Sequence, residues 1–350
     1  MKAKQDIRAL TKTELRDFFV SKGQQAFRGN QVYEWLWGKA VHHFEDMTNI
    51  SKETRLFLSE NFVINHIKVD HIQRAADGTI KNALKLHDGL VVESVLIPVK
   101  NRTTACVSSQ VGCSLNCKFC ATARLKRMRN LNPDEIYDQV VVINQQSLLY
   151  RHQKLSNIVF MGMGEPLLNY NNVLAAIDKI TTDDGLGMSP KRITVSTVGI
   201  PKMIKKLADD EVKFNLAVSL HSAIDEIRSK MMPINEVSPI ADLLEALQYW
   251  YTKTKRRITF EYVVWNGIND RQADVDALVT LCRKIPVKVN LIEYNAIDDG
   301  LFQQAAPEAI QNYVKNLEAN GIVVNVRHSR GKDIDAACGQ LANKSAVGNE

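Results

Sequence analysis

No apolar run in the chain approaches the roughly 20 residues that a bilayer-crossing helix needs, so an integral membrane protein is not expected. The opening Met-Lys-Ala-Lys-Gln-Asp lacks the apolar segment of a secretory leader, which predicts a cytoplasmic protein with no membrane partner. No low-complexity tract or short-period repeat is found, which argues against long disorder and against a solenoid. Nor does one sign of charge dominate. Lys and Arg number 45 against 39 Asp and Glu, and the resulting +6 is only a weak pointer to a polyanionic partner. Cysteine is scarce, with six in 350 residues, too few for a disulfide scaffold. Four of the six (Cys106, Cys113, Cys117 and Cys120) nevertheless crowd into one short stretch, and in a reducing compartment such crowding points to metal or redox chemistry.

The patterning predicts three parts and a short tail over 343–350. Residues 1–62 read as a small helical domain: Thr11 with Glu14 forms a capping-box pattern, Val32, Trp35, Leu36 and Ala40 share a helical face, and Ser51 opens another helix. Residues 63–100 turn to alternation, with Asp77-Gly78 and Asp88-Gly89 as turns, and predict a β extension. From 101 to 342, six β-branched runs alternate with amphipathic stretches: 103–107, 157–161, 192–196, 214–220, 257–264 and 287–292. Helix starts are marked by Asn132-Pro133 and by Ser238-Pro239, each as N-cap and N1. This repetition predicts an α/β fold with a parallel sheet, whose functional loops follow the carboxyl ends of the strands.

Cys113-Ser-Leu-Asn-Cys117-Lys-Phe-Cys120 follows the first of those runs. Three thiolates on one loop leave a four-iron cluster with one iron open to a non-protein ligand. Zinc held structurally wants four protein ligands, and Cys106 would have to be the fourth. A zinc-stabilised RNA-binding module without catalysis is therefore the alternative from another class.

The C-x3-C-x2-C spacing with an aromatic residue before the last cysteine resembles the signature of the radical S-adenosylmethionine (SAM) superfamily. Together with Cys106-Val-Ser-Ser-Gln-Val-Gly-Cys113, Met161-Gly-Met-Gly-Glu-Pro166, Ser219-Leu-His221 and Asp335-Ala-Ala-Cys-Gly-Gln340, it resembles the RlmN/Cfr family of RNA methyltransferases, from the helical start to about residue 342. The resemblance implies a partial (β/α)6 TIM-like barrel. It also implies a [4Fe–4S] cluster on Cys113, Cys117 and Cys120, and SAM used twice per turnover. SAM contacts would fall on Gly164, Glu165, Ser196, Ser219, Leu220, His221 and Asn295, with Gly162 and Gly164 admitting the cofactor close to the backbone. Taken singly, the glycine turn, His221, Ser196 and Asn295 read as ordinary turn and strand-end residues.

The family's reaction, as the resemblance implies it, methylates C2 of adenine 2503 in 23S ribosomal RNA and of adenine 37 in certain transfer RNAs; the related alternative is C8. Cys338 would carry the methyl group, Glu93 would accept the C2 proton, and Cys106 would resolve the protein–RNA adduct through a transient Cys106–Cys338 disulfide. An electron donor and a disulfide reductant would be needed from outside. On its residues alone, Glu93 reads as a solvent-facing strand residue and Cys338 as a small core residue, while Cys282 on an apolar helical face is given no role. Arg124, Lys126, Arg127 and Arg129 follow the cysteine loop and suggest phosphate contacts. The runs Lys253, Lys255, Arg256, Arg257 and Arg327, Arg330, Lys332 read as solvated faces. Tyr33, Trp35 and Trp37 offer base stacking in the helical domain, although at least half of that stripe belongs to a core.

Overall fold

Local signals set the N-terminal helices. The computed structural model describes residues 4–297 and 300–343. Helix α1 (Lys12–Ser21) starts at Thr11, whose hydroxyl accepts the Glu14 amide at 3.1 Å while the Glu14 carboxylate accepts the Thr11 amide at 2.7 Å. Helix α2 (Phe27–Tyr33) runs on into a π turn over Glu34–Gly38, and α3 (Lys52–Asn61) is capped by Ser51. The apolar stripe is mostly spent on packing. Tyr33 and Trp37 are buried, which leaves only Trp35 of the expected stacking residues partly exposed, with the Lys39 ammonium 3.6 Å from its ring centre.

These helices share one continuous core with the main domain. Trp37 meets Tyr137 edge-on at 5.2 Å, and the Tyr137 hydroxyl donates to the Trp37 carbonyl. Beside them Arg8, 6% exposed, reaches Asp138 at 2.7 Å and Asp134 at 3.1 Å. Both acids lie on α4 (Pro133–Arg151), which opens at Asn132 and Pro133 as expected. Burial raises the pKa of Asp134 to about 6 against the pull of Arg8.

The central sheet has ten strands in sequence order. Three antiparallel strands, β1 (Lys68–Arg74), β2 (Ile80–Lys85) and β3 (Val91–Val99), form the extension, joined by the Asp77-Gly78 and Asp88-Gly89 turns. Strand β3 pairs with β4 (Arg102–Cys106), and parallel strands follow: β5 (Asn157–Phe160), β6 (Ile193–Thr197), β7 (Asn215–Ser219), β8 (Ile258–Val263), β9 (Val287–Ile292) and β10 (Val323–Arg327). Among the described residues the sheet stays open, with β1 and β10 at its edges. The six expected strands are present within a residue or two. Strand β10 is an addition: it completes six β/α units with a seventh parallel strand, and being mostly exposed it offers no buried β-branched run.

Helices α5 (Tyr170–Thr181), α6 (Pro201–Asp209), α7 (Asp225–Met231), α8 (Ile240–Thr254), α9 (Gln272–Cys282) and α10 (Pro307–Ala319) occupy the crossovers after β5 to β9. Pro239 is itself the N-cap of α8, one residue later than the Ser238 expectation. No helix among the described residues is long and apolar enough to cross a membrane.

The Arg8 pair makes the docking of the N-terminal helices testable. Arg8→Ala leaves Asp138 buried without its partner, and we expect a loss of about 3–5 kcal/mol in urea unfolding. Arg8→Met combined with Asp138→Leu, which removes both charges, recovers most of it; equal losses in the single and double variants would refute this account.

Candidate active site

The loop after β4 is shaped by backbone pairing. Gln110–Val111 forms a short antiparallel ladder with Arg129–Asn130, and the cysteine loop bulges between them. At Gly112, with φ +75°, a Cβ would sit 2.3 Å from the Lys126 carbonyl oxygen, so the ladder closes only with glycine there. Cys113, Cys117 and Cys120 line one cavity at the carboxyl ends of the strands. Gly164, Glu165, Ser196, Ser219, His221, Asn295 and Cys338 line the same cavity, as the strand-end rule predicts. Leu220 does not. Its side chain is fully buried in the main core, and only its backbone serves the site, accepting from Arg228 at 3.1 Å.

The glycines of Gly162-Met-Gly164 line the cavity, and packing also requires them. A Cβ on Gly162 would meet the Ser108 hydroxyl at 2.7 Å, and one on Gly164, at φ +95°, would meet the Gln110 Cβ at 2.5 Å. They let this loop lie against residues 107–110, where the Met163 carbonyl accepts the Ser109 amide at 2.8 Å and the Ser108 hydroxyl accepts the Met163 amide at 2.8 Å. Glu165, buried behind them, accepts the amides of Leu167 at 3.0 Å and Val198 at 2.9 Å. Burial raises its pKa to about 7 even so.

His221 sits at φ +57°, its ring 4.7 Å from Phe119 and 5.6 Å from Trp265. Its Nδ1 accepts the Val263 amide at 3.2 Å, which leaves the proton of the neutral ring on Nε2. Burial, reinforced by nearby Arg228, drops its pKa to about 3.

Cys338 rides on a C-terminal strap fastened at several points. The Gly339 carbonyl accepts the Ala121 amide at 2.7 Å, the Leu341 carbonyl accepts the Thr122 hydroxyl at 2.6 Å, and the Cys338 carbonyl accepts the Asn295 amide at 3.3 Å. The Cys338 side chain is open to the cavity although protein surrounds it, and burial pushes its thiol up to about 11. Cys106 stands in the barrel interior, in a space that Cys338 also lines, and its thiol is raised by burial and by Cys338. It does not line the cavity of the three-cysteine loop, and among the described residues no three His, Cys, Asp or Glu side chains close around a single metal ion. Cys113, Cys117 and Cys120 thus share one cavity, and Cys106, the residue that a zinc site would need as its fourth ligand, lines a different space.

Glu93 overturns the solvent-facing reading, being fully buried. It lies two residues from Val95, which pairs with Cys106, so Glu93 and Cys106 share one face of the sheet. Its Oε2 accepts the amides of Ala342 at 2.8 Å and Asn343 at 3.1 Å, and its Oε1 is 3.5 Å from the Lys81 ammonium. Cys282 is buried, as expected of a core residue. Arg129 is structural: it bridges Asp88 at 2.6 Å and Glu135 at 2.7 Å and 2.8 Å. The remaining expected cations, Arg124, Lys126 and Arg127, are exposed beside the loop.

Some functional candidates escaped the sequence. Arg228, buried with no carboxylate against it, donates to the carbonyls of Val198, Ser219 and Leu220 and to Asn235, tying together the ends of β6 and β7. It also brings positive charge toward Cys117. Glu261 lines both cavities and is held by Asn290 at 2.9 Å. Trp265 forms the aromatic wall beside Phe119, and only its place just after β8 could have signalled it.

Three thiols on a loop at the carboxyl mouth of a partial parallel barrel define a protein of the radical-SAM class. Residues 107–279 match the family model of the Radical SAM superfamily, and residues 5–64 match that of the Ribosomal RNA large subunit methyltransferase N-terminal domain. A crystal structure of a radical SAM methyltransferase from Sphaerobacter thermophilus superposes with a TM-score of 0.91 and 36% identity, covering 96% of this chain and 99% of that one. A probable dual-specificity RNA methyltransferase RlmN of Flavobacterium psychrophilum is 72% identical over 97% of this chain and 98% of its own length. A protein of the same name from Salinibacter ruber is 43% identical over 97% and 94%. The chain belongs to the RlmN family of radical-SAM RNA methyltransferases, a membership that implies a [4Fe–4S] cluster and SAM.

The neutral His221 gives the fold a measurable acid sensitivity. Its folded pKa lies below the unfolded value of about 6.5, so the unfolded chain alone takes up a proton as pH falls through that value. We expect wild type to lose about 1.4 kcal/mol more than His221→Gln between pH 7.5 and pH 5.5 in urea melts. Coincident pH dependence of the two proteins would show that the ring is not held neutral.

Proposed function

We propose that this protein transfers a methyl group to C2 of an adenine in RNA, acting on adenine 2503 of 23S ribosomal RNA and on adenine 37 of transfer RNA, in the cytoplasm. The observation that carries the reading is the placement of Cys338 on a strap pinned beside the three-cysteine loop, facing an interior that Cys106 also lines. When bound on Cys113, Cys117 and Cys120 and on the loops of Gly164, Glu165, Ser196, Ser219, His221 and Asn295, the cluster and SAM supply a methyl group and a 5′-deoxyadenosyl radical. Leu220 takes part through its backbone alone.

An aromatic C2–H is neither acidic nor nucleophilic, so a carrier residue is needed. Cys338 gives up its thiol proton and holds the methyl group as a thioether. With one hydrogen lost to the 5′-deoxyadenosyl radical, that carbon bonds to C2 and joins RNA to protein through the Cys338 sulfur; the unpaired electron this leaves on the ring would be taken up by the oxidised cluster. Glu93 receives the C2 proton on its Oε1, which accepts no hydrogen bond from the described residues, while Oε2 keeps the two amides. Cys106, as thiolate, then attacks the Cys338 sulfur; the sulfur–carbon bond breaks with its electron pair on carbon, that carbon takes a proton and becomes the methyl group, the methylated base departs, and a Cys106–Cys338 disulfide remains. An external dithiol reductant returns both thiols, and a separate one-electron donor serves the cluster. Two SAM molecules are consumed per base. The raised thiol pKa values of Cys106 and Cys338 keep both protonated and inert until this sequence begins.

Cys106→Ala is expected to keep its cluster and a methylated Cys338, to attack RNA, and then to stop. It should purify with nucleotide that nuclease shortens and denaturant does not remove. An intact cluster and methylated Cys338 with no attached nucleotide would overturn the resolving role. Cys338→Ala should retain iron and sulfide but make no methylated RNA, whereas Ala at Cys113, Cys117 or Cys120 should lose both iron and activity. Mass spectrometry of the product nucleotide placing the methyl at C8 would replace the C2 assignment.

A further inference from the structure

The strands that end at the catalytic mouth begin, some 15–20 Å away by their length, at a second opening with a different character. A cavity of about 510 Å³ lies there, and Lys191, Arg256, Arg257 and Lys288 line it with the side chains of Thr194 and Thr259. No carboxylate is in the lining. Arg256 is occupied with the backbone carbonyls of Lys213 and Phe214. Lys191, Arg257 and Lys288 make no side-chain hydrogen bond and no ion pair within 4 Å to any described residue. Lys288 also acts on Glu261, two residues further along β8 than Thr259, and Thr194, Thr259 and Lys288 line the interior space of Glu261 as well, so the opening is the amino-terminal entrance to that interior. Asn215 spends its amide on the carbonyls of Lys191 and Ile193, which fixes the segment that delivers Lys191 to the cavity.

Solvated surface cations normally diverge, because like charges a few ångströms apart repel by about 1 kcal/mol even in water and by more in a concavity walled by protein. Here four converge from the segments preceding β6 and β8 and from β9, and the only uncharged polar groups between them include two hydroxyls free to donate. Such an arrangement is stabilised when an anion with several acceptor oxygens sits at its centre. The run Lys255-Arg256-Arg257, which the sequence reads as a solvated face, thus has two of its members turned into a pocket.

We propose that this amino-terminal mouth of the barrel is a non-catalytic binding site for phosphate groups, distinct from the SAM cavity and lying at the opposite end of the same strands. The phosphate comes from one of two sources: the backbone of bound RNA wrapping past the barrel, or a free nucleotide-like anion.

The test uses the cluster-loaded enzyme and its Lys191→Gln/Arg257→Gln variant, with pyrophosphate as the probe. Calorimetric titration at constant ionic strength should give pyrophosphate binding to wild type and about tenfold weaker binding to the variant. The single variant Arg257→Lys, which keeps the charge, should retain most of the affinity, and the rate of RNA methylation at saturating RNA should be unchanged in all three proteins, so that misfolding is not mistaken for loss of the site. Substrate RNA distinguishes the sources. If its backbone occupies the site, the slope of log K against log salt falls by about 1.4–1.8 in the double variant, because two phosphates are no longer neutralised, and pyrophosphate competes with RNA. If a free anion occupies it, the slope is unchanged while pyrophosphate binding is still lost. Equal pyrophosphate binding, or none, in wild type and variant together with equal salt slopes would overturn the proposal.

Discussion

The backbone hydrogen bond from the Ala121 amide to the Gly339 carbonyl is the contact on which the site's arrangement depends. It joins the cysteine loop to the strap, two segments separated by most of the barrel in sequence, and fixes how far Cys338 stands from the three thiols. The neighbouring bonds act in the same sense: Thr122 to Leu341, Asn295 to Cys338 and Gln340 to Ala296. Apart from Gln340, which donates its side-chain amide, the strap takes part in these bonds through its own main-chain carbonyls, and the Cys338 side chain is left without a structural duty. A carrier thiol needs that freedom, since it must accept and then surrender a carbon without loosening its own support.

A second layer of constraint lies behind the loops. The Gly162–Gly164 turn and residues 107–110 interlock so closely that a methyl group on either glycine would collide with its neighbour. Arg228 then ties the ends of β6 and β7 through their carbonyls. An arginine buried among carbonyls and one asparagine, with no carboxylate, costs desolvation that hydrogen bonds alone offset only in part, and its pKa falls to about 10 accordingly. The charge it retains faces Cys117, where thiolates bound to iron would bring negative charge. The same side chain therefore sets loop geometry and local potential.

Much of this was legible in the sequence where the signal is local. The capping box at Thr11, the helix start at Asn132-Pro133, the Asp77-Gly78 turn and the buried β-branched runs depend on residues a few positions apart, and they lie within a residue or two of expectation. The cysteine loop and the Gly-Met-Gly-Glu-Pro motif, both picked out from the sequence, line one cavity at the carboxyl ends of the strands. What stayed hidden depends on distant partners. Glu93 reads as exposed because its donors, the amides of Ala342 and Asn343, lie almost at the other end of the chain. Glu261 owes its burial to Asn290 on the neighbouring strand, and Arg228 to carbonyls that no side-chain pattern reveals. Leu220, placed in the site by its motif neighbours, follows strand alternation into the core. Strand β10, exposed on most of its length, had no buried run to announce it.

The Glu93 contact also orders events in the life of the molecule. Its two halves are made nearly a full chain length apart in time as well as in sequence, since Ala342 is polymerised long after Glu93. Until then β2 and β3 can pair, and the barrel can form around them, but a buried carboxylate with no amides to receive it remains costly and keeps that corner open. The strap is therefore the last piece to dock, and a nascent or truncated chain that has built every cofactor-binding loop still lacks Cys338.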